Sequence, residues 1–223
     1  MNAQGSWEGI TASRARGRFI TFEGGEGCGK STQIRLLAAA LEERGYSVVQ
    51  LREPGGTAVG ERIREVLLAR DSDGLDSLAE LLLYEAARAQ IVSELIRPAL
   101  EQGRVVLCDR FADSTLAYQG YGRGLDIELI RRLNSAATAG LAPDATVMLF
   151  IDPEEGLRRA KGATGGDGAG DRIESAGLAF HRRVAEGFSR IAMEEPERVI
   201  AVGASGTVEE VHRAVLARVL DVL

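Results

Sequence analysis

The sequence predicts an α/β fold in which a parallel sheet of about five strands is flanked by helices on both faces. Short, mostly apolar runs alternate along the 223 residues with stretches of helical periodicity, as is typical of strands buried on both sides. Glycine and proline clusters separate these runs. A glycine-rich turn joins the first strand directly to the first helix. We find no second core and no internal repeat.

Five apolar runs are predicted to be strands because valine, isoleucine and other β-formers dominate them. They are residues 18–23, 47–52, 104–109, 145–151 and 198–202. Since the runs between them have helical spacing, successive strands are expected to be parallel. The sheet is therefore predicted to continue across the whole chain.

Seven stretches are predicted to be helices. They are residues 30–44, 57–69, 76–102, 127–139, 153–159, 172–193 and 207–223. Gly45 is a C-cap for the first of them, and Pro98 predicts a kink or break near the end of the third. The glycine run of residues 162–170 is too flexible to pack, so we expect a mobile loop there.

A single domain is predicted over residues 18–223, since one core is common at this length. Residues 1–17 are polar and lack the apolar region of a secretory signal, so we expect a frayed tail. No apolar run reaches the roughly 18 residues that a membrane span requires. We therefore expect no association with a membrane.

Composition argues against several classes of protein. The net charge of −6 disfavours sequence-independent binding to nucleic acid, which relies on clustered cations. Two cysteines exclude a disulfide framework and favour a reducing cytoplasm. His181 and His212 lie far apart, with no thiols or carboxylates at metal-ligand spacing, so a structural zinc site is not expected.

The strongest motif runs from Gly24 to Ser31. It matches G-x-x-x-x-G-K-[ST] between a strand and a helix, the setting that identifies the phosphate-binding loop of P-loop NTPases. The alternative, a glycine turn with a chance lysine, is disfavoured by that setting. Lys30 is predicted to reach the β- and γ-phosphates of ATP, and Ser31 to bind Mg²⁺. The predicted ATP-binding residues are Gly24, Gly25, Glu26, Gly27, Cys28, Gly29, Lys30, Ser31 and Thr32.

A second candidate feature ends the third predicted strand. Asp109 and Arg110 come directly after buried residues, so their side chains should emerge at the sheet edge where ligands bind in open α/β folds. The planar guanidinium of Arg110 suits the phosphate of an acceptor. A structural ion pair with Asp109 or Glu53 is the alternative.

The sequence resembles the thymidylate kinases of bacterial type from the phosphate loop to the last helix. Five segments carry the resemblance: residues 22–32, 52–57, 86–90, 109–120 and 171–174. The resemblance implies a P-loop kinase that transfers the γ-phosphoryl group of MgATP to dTMP, giving dTDP and ADP. It also implies a homodimer.

The resemblance implies a set of contacts with the thymine base. Tyr84 stacks on the base, where most relatives have phenylalanine, and Arg88 and Thr115 bond its polar edge. Ser114 and Gln119 support the loop that carries Thr115. Ordinary packing in the core is the alternative for Tyr84.

The sugar and phosphate contacts follow from the same resemblance. Arg52 and Arg110 bind the 5′-phosphate, and Asp109 orients phosphate-binding groups or Mg²⁺. Tyr118 lies beneath the sugar and selects deoxyribose, while Glu26 faces the 3′-hydroxyl. A solvated strand end is the alternative for Arg52, and a surface carboxylate is the alternative for Glu26.

Residues 158–172 resemble the lid that closes over ATP. The phosphate loop contains no arginine, so the resemblance assigns the catalytic cation to the lid, with Arg159, Lys161 and Arg172 as candidates. Relatives often have a further arginine where this chain has Ala163 and glycines, which leaves the choice open. No general base is expected, because a nucleoside monophosphate is largely dianionic near neutral pH.

Two other functions are compatible with a phosphate loop. The first is another small-molecule kinase, which the pairs Tyr84/Arg88 and Thr115/Tyr118 argue against. The second is a non-catalytic nucleotide switch. A guanine switch normally carries an N-K-x-D-type motif near its later strands, and residues 147–152 show none.

Overall fold

A five-stranded parallel sheet forms the centre of the computed structural model, which describes residues 16–72, 74–163 and 172–223. The strands are β1 (Phe19–Gly24), β2 (Val48–Arg52), β3 (Val105–Asp109), β4 (Ala145–Phe150) and β5 (Val199–Gly203). Their order across the sheet is β2-β3-β1-β4-β5. The predicted parallel sheet of about five strands is confirmed, with each boundary within one residue of the prediction.

Nine α-helices lie in the described part of the chain. They are α1 (Lys30–Glu42), α2 (Ala58–Leu68), α3 (Ser77–Ile91), α4 (Arg97–Glu101), α5 (Ala112–Thr115), α6 (Ile127–Thr138), α7 (Pro153–Ala163), α8 (Leu178–Glu194) and α9 (Val208–Leu220). None of the described helices is long and apolar enough to cross a membrane. The predicted tail overlaps residues 1–15, and the predicted mobile loop overlaps residues 164–171. Both of these ranges lie outside the described residues.

Alternate residues of each strand pack against different layers of helices, because side chains of a strand point to opposite faces of the sheet. Val105 and Leu107 of β3 join the cluster formed with α1 and α9. Val106 and Cys108 face the other way, onto a cluster that includes Ile91 at the end of α3. The helices therefore cover both faces, as predicted.

The predicted helix over residues 76–102 is interrupted. After α3 the chain makes one π-helical segment, Val92–Ile96, before it continues as α4. Pro98 stands in the first turn of α4, where the missing N–H of proline costs no intrahelical hydrogen bond. The irregularity thus precedes the proline.

The prediction that a helix begins at residue 172 is wrong. A short 3₁₀ turn, Glu174–Ala176, comes first, and Gly177 then has a φ of 83°. Because that left-handed conformation interrupts a right-handed helix, α8 begins only at Leu178.

A second π-helical segment, Leu116–Gly122, follows α5 without a break. None of the helices predicted from the sequence covers these residues. Two glycines of this region are required by packing: a Cβ at Gly120 would lie 2.5 Å from Ile127, and one at Gly122 would lie 2.7 Å from the ring of Phe180. The segment is therefore held closely against α6 and α8.

Candidate active site

The phosphate loop connects β1 to α1 as predicted. Gly27 and Gly29 have φ angles of 64° and 92°, which glycine adopts without steric cost. The ammonium of Lys30 folds back over the loop and donates to the carbonyl oxygens of Gly25 at 3.0 Å and Gly24 at 3.3 Å. The lysine is therefore held at the loop, and its side chain is buried.

Helix α7 packs directly on the phosphate loop. A Cβ added to Gly27 would lie 2.0 Å from the carbonyl oxygen of Gly156, and one added to Gly156 would lie 2.3 Å from the carbonyl oxygen of Glu26. The two backbones can approach this closely because both positions are glycines, which have no Cβ. The contact places the helix that carries Arg159 and Lys161 beside the loop.

The two predicted metal ligands meet at the carboxyl edge of the sheet. The Ser31 hydroxyl donates to Oδ2 of Asp109 at 2.8 Å, although 78 residues separate the two positions. The register of β1 and β3, which pairs Phe22 with Asp109, brings them together. Oxygen ligands of this kind suit Mg²⁺. In the described residues no group of three or more His, Cys, Asp or Glu side chains could hold a metal.

Arg110 lies between the phosphate loop and the helices that follow β3. Its φ of 69° is in the left-handed region, which an L-residue adopts only where the surrounding structure stabilises it. Its guanidinium donates to Glu26 at 2.8 Å, to the carbonyl oxygen of Gly24 at 3.0 Å and to the hydroxyl of Ser114 at 3.2 Å. The ion pair is thus with Glu26 rather than with Asp109 or Glu53.

Glu26 is ionised in this environment. Burial raises the pKa of its carboxyl, but the positive charges of Arg110 and Lys30 and a hydrogen bond from Tyr118 outweigh burial and lower the pKa to about 2. The Tyr118 hydroxyl donates to Oε1 of Glu26 at 2.6 Å, and Arg110 stacks over the Tyr118 ring at 4.9 Å. The Glu26 carboxylate therefore links the phosphate loop to Arg110 and Tyr118.

A cavity of about 190 Å³ opens beside these residues. All the predicted substrate residues except Arg52 line it. They are Glu26, Tyr84, Arg88, Arg110, Ser114, Thr115, Tyr118 and Gln119. The fold thus gathers side chains from the phosphate loop, α3, α5 and the second π-helical segment around one space.

Arg52 lies outside this group. It ends β2 at the same edge of the sheet, but its side chain is about half exposed and pairs with Glu61 of α2 at 3.0 Å. The structure therefore places Arg52 near the cavity without making it part of the wall.

Arg88 is the largest fully buried side chain of the described residues. It donates through Nε to Glu53 at 2.9 Å, and through Nη1 to Glu85 at 2.9 Å and Asn134 at 2.5 Å. Its Nη2 donates to the carbonyl oxygen of Phe111 at 3.1 Å. Burial raises the pKa of Glu53 to about 7 despite the opposing effect of Arg88. The network fixes the guanidinium at one wall of the cavity.

Three side chains that follow Arg110 differ in how they are bonded. The Ser114 hydroxyl donates to Glu23 at 2.6 Å, and the Gln119 amide donates to Glu80 at 2.8 Å. The Thr115 hydroxyl is buried and has no hydrogen-bond partner among the described residues. A buried hydroxyl normally has one, so Thr115 is the member of this set whose hydroxyl no protein group in the described residues satisfies.

The three candidate lid cations occupy different environments. Arg159, on α7, donates to Glu155 at 2.9 Å and to the carbonyl oxygen of Ala204 at 3.1 Å. Lys161 is exposed near the end of the same helix. Arg172 is buried and donates to the carbonyl oxygen of Leu67 at 3.0 Å and to Glu80 at 2.5 Å. The structure does not bring these cations together, and the choice among them stays a prediction.

Sequence reasoning missed several residues of the cavity wall. Glu53, Arg64, Ile173 and Glu174 all line it, and Arg64 is held by a hydrogen bond to the carbonyl oxygen of Pro54 at 2.9 Å. Glu53 and Glu174 lay within the segments that carried the resemblance. Arg64 had no signal beyond its place on the helix after that segment.

Comparison with known proteins agrees with this geometry. The family model for thymidylate kinase matches residues 22–215. The chain is 55% identical over 193 residues to a thymidylate kinase of Synechococcus sp. (strain JA-2-3B'a(2-13)), covering 86% of this chain and 89% of that relative. It is 52% identical over 207 residues to the thymidylate kinase of Pelobacter propionicus, covering 92% of this chain and 94% of the relative.

A solved structure gives the same result. The crystal structure of thymidylate kinase from Ehrlichia chaffeensis superposes with a TM-score of 0.75 at 37% sequence identity, covering 92% of this chain and 99% of that chain. The sheet, its helices and the phosphate loop therefore form a P-loop NTPase fold. On both sequence and structure, this chain belongs to the thymidylate kinase family.

Proposed function

We propose that this protein is a nucleoside monophosphate kinase that transfers the γ-phosphoryl group of MgATP to dTMP, giving dTDP and ADP. One observation carries the proposal: Arg110 and Glu26 connect the phosphate loop to a cavity lined by residues suited to a nucleotide. ATP in the loop and the nucleotide acceptor in the cavity would thus lie next to each other, on either side of Arg110 and Glu26. Relatives named thymidylate kinase support dTMP as the acceptor.

On the donor side, the backbone of residues 24–29 and Lys30 would hold the phosphates of ATP. Ser31 and Asp109, which are in contact, would hold Mg²⁺ directly or through water. The bound ion would neutralise charge on the phosphates during transfer. Thr32, Cys28 and the loop glycines complete the proposed ATP site.

On the acceptor side, Tyr84 would stack on thymine, while Arg88 and the Thr115 hydroxyl would bond its polar edge. Tyr118 would lie against the deoxyribose, with Glu26 near the 3′-hydroxyl. The absence of any protein partner for the Thr115 hydroxyl among the described residues supports this role.

The 5′-phosphate of dTMP would be bound by Arg110, with Ser114 and Gln119 supporting the wall of the pocket. Arg52 is proposed as a second phosphate ligand, which requires it to exchange its partner Glu61 for the phosphate. Because the acceptor phosphate is largely dianionic near neutral pH, its oxygen can attack without a general base. Catalysis then consists of positioning and of neutralising charge.

The catalytic cation is proposed to come from α7. This helix packs on the phosphate loop at Gly27, so it carries Arg159 and Lys161 beside the loop that would hold the phosphates of ATP. Arg172 instead pairs with a buried carboxylate. Residues 158–172 remain the proposed lid within a single domain of residues 18–223.

A homodimer is proposed through an apolar face of α2 and α3. Val59 and Val66 are exposed on α2, and Leu78 and Leu82 are exposed on α3. The two helices pack together, and exposed large apolar side chains on neighbouring helices are suited to contact with a partner subunit. We expect Val66→Glu/Leu82→Glu to lower the mass measured by light scattering to that of one chain. An unchanged mass would contradict this interface.

Two buried free cysteines, Cys28 and Cys108, support a reducing compartment such as the cytoplasm.

The acceptor is tested by ADP release from MgATP with dTMP, dUMP, dCMP, dGMP, thymidine or no acceptor. Turnover should be strongest with dTMP and negligible with thymidine, which lacks the attacking phosphate. Release without an acceptor would contradict the proposal. A preference for another monophosphate would keep the kinase assignment and overturn the roles of Arg88 and Thr115.

A further inference from the structure

Glu80 is a buried carboxylate that has no part in the chemistry proposed above. Its side chain is 1% exposed and accepts hydrogen bonds from Gln119 at 2.8 Å, from Arg123 at 3.1 Å and from Arg172 at 2.5 Å. Burial raises the pKa of Glu80, but these donors outweigh burial and lower it. Glu80 is therefore ionised and joins three parts of the chain that are distant in sequence.

The position of Glu80 on α3 relates it to the acceptor pocket. It precedes Tyr84 by four residues and Arg88 by eight, a spacing that puts all three side chains on one face of the helix. Gln119, one of its donors, lines the same cavity as Tyr84 and Arg88. The carboxylate thus lies behind the pocket and orients residues in its wall.

Arg172, its other close partner, leads into the wall itself. The two residues that follow, Ile173 and Glu174, both line the acceptor cavity. Arg172 is tied to the end of α2 as well, through a hydrogen bond from Nε to the carbonyl oxygen of Leu67 at 3.0 Å and one from its backbone N–H to Leu68 at 3.4 Å.

We propose that Glu80 is a positioning residue whose ion pair with Arg172 fixes residues 172–174 as one wall of the acceptor pocket and thereby sets the affinity for the nucleoside monophosphate. The ion pair acts on binding and not on the transferring phosphoryl group. Arg172 is accordingly a wall anchor rather than the catalytic cation. This inference rests on the proposed acceptor pocket.

The geometry predicts a separation of kinetic effects. Loss of the ion pair frees the wall that contacts dTMP, while Lys30 and the phosphate loop keep their contacts. Removing a charge-assisted hydrogen bond of this kind should raise KM for dTMP about tenfold. KM for ATP and kcat should change less than about threefold, because the phosphate loop and Lys30 are unaltered.

The experiment compares wild type with Glu80→Gln, Arg172→Lys and the double variant Glu80→Gln/Arg172→Met, which removes both charges and so leaves no unpaired buried ion. Each protein is assayed with dTMP and ATP varied in turn, and its thermal unfolding is recorded. We expect all three variants to show the raised KM for dTMP. The double variant should be no worse than Glu80→Gln, since both lose the same interaction.

Arg123→Gln is the matched control, because Arg123 bonds the same carboxylate but contacts no residue of the segment 172–174 in the described contacts. We expect it to leave KM for dTMP within about twofold of wild type. An equal rise in this control would show that any loss of charge around Glu80 suffices, which would overturn the specific role of Arg172.

Two further outcomes would contradict the inference. If Arg172→Lys lowers kcat strongly while Glu80→Gln does not, Arg172 acts on the reacting groups. If unfolding temperatures fall but every KM stays unchanged, the ion pair is purely structural. Thr115→Val distinguishes failure of this inference from failure of the proposed acceptor pocket. If KM for dTMP is unchanged in the Glu80 and Arg172 variants and also in Thr115→Val, dTMP binds outside this cavity.

Discussion

The phosphate loop and the acceptor pocket share one edge of the sheet but are built in different ways. The loop is a continuous stretch, residues 24–31, that recognises its ligand mainly through backbone N–H groups and one lysine. The pocket takes side chains from the loop, α2, α3, α5, the segment Leu116–Gly122 and residues 173–174. One site is local in sequence, and the other exists only after folding.

This difference affects how each site is stabilised. The loop needs glycines at Gly27 and Gly29, because their φ angles of 64° and 92° are costly for other residues. The pocket needs largely buried ion pairs, such as that of Arg110 with the ionised Glu26, because its polar groups are removed from water. The loop should therefore be sensitive to added atoms, and the pocket to lost charges and hydrogen bonds.

The largest effect is expected from the lysine of the loop. Lys30→Ala should lower kcat for dTMP phosphorylation by about 10³-fold or more, because a positioned cation at the transferring phosphoryl group contributes on that scale. Arg110→Ala should also cost orders of magnitude. Arg35→Ala removes an exposed cation from the same helix as Lys30 and should leave kcat within about twofold. Near-wild-type turnover in a folded Lys30→Ala protein would refute the role of the loop.

The next effect tests the contact between α7 and the loop. Gly156→Ala would put a Cβ 2.3 Å from the carbonyl oxygen of Glu26, so the loop or the helix must move. We expect kcat/KM for ATP to fall about a hundredfold, since a displacement of about 1 Å in the groups that position a substrate can cost that much in rate. Gly162→Ala is the control on the same helix, because nothing lies within 4 Å of its added Cβ. Similar kinetics for both variants would contradict the contact.

A smaller effect concerns the pH dependence of stability. Burial raises the pKa of Glu53 to about 7. Between the ordinary carboxyl pKa and that value, Glu53 is therefore protonated in the folded state and ionised in the unfolded state. Stability from Glu53 is present below the ordinary carboxyl pKa and is lost as pH rises through about 7.

Glu53→Gln removes that titration. Compared with this variant, wild type should lose about 2 kcal/mol of unfolding free energy between pH 5 and pH 8. Urea unfolding of both proteins at several pH values measures the difference. A difference that stays constant over this range would show that Glu53 keeps its charge through its contact with Arg88.

The smallest effect separates binding from stability in the pocket. Thr115→Val keeps the shape of a side chain whose hydroxyl has no partner among the described residues. We expect KM for dTMP to rise about tenfold, with no loss in thermal unfolding temperature. Thr138→Val replaces a buried threonine outside the acceptor cavity and should leave KM unchanged. A normal KM for Thr115→Val would remove Thr115 from the base site.

The fold was predictable to the extent that burial has a simple pattern. Each strand was found within one residue because apolar β-formers in a buried parallel strand form a continuous run. The two π-helical segments were not predictable, since they depend on tight packing such as that of Gly122 on Phe180. The delayed start of α8 followed from the conformation of Gly177, which helical periodicity does not report.

The candidate site was predictable in the same uneven way. The meeting of Ser31 and Asp109 follows from strand order and from the loop motif. The resemblance supplied most residues of the cavity wall, yet Arg64 was missed and Arg52 lies outside the wall. Arg172 was predicted as a lid cation, while the structure pairs it with Glu80. Nothing in the sequence relates residues 80 and 172, which are 92 positions apart.

By itself, the sequence determined the parallel sheet, the phosphate loop and the edge at which ligands bind, because these depend on local pattern and on backbone geometry. Only the tertiary structure decided which charges are paired. Arg110 contacts Glu26, Arg88 contacts Glu53 and Glu85, and Arg172 contacts Glu80. The physical reason is that a buried charge requires a nearby opposite charge, and which charges are near is set by packing between distant segments.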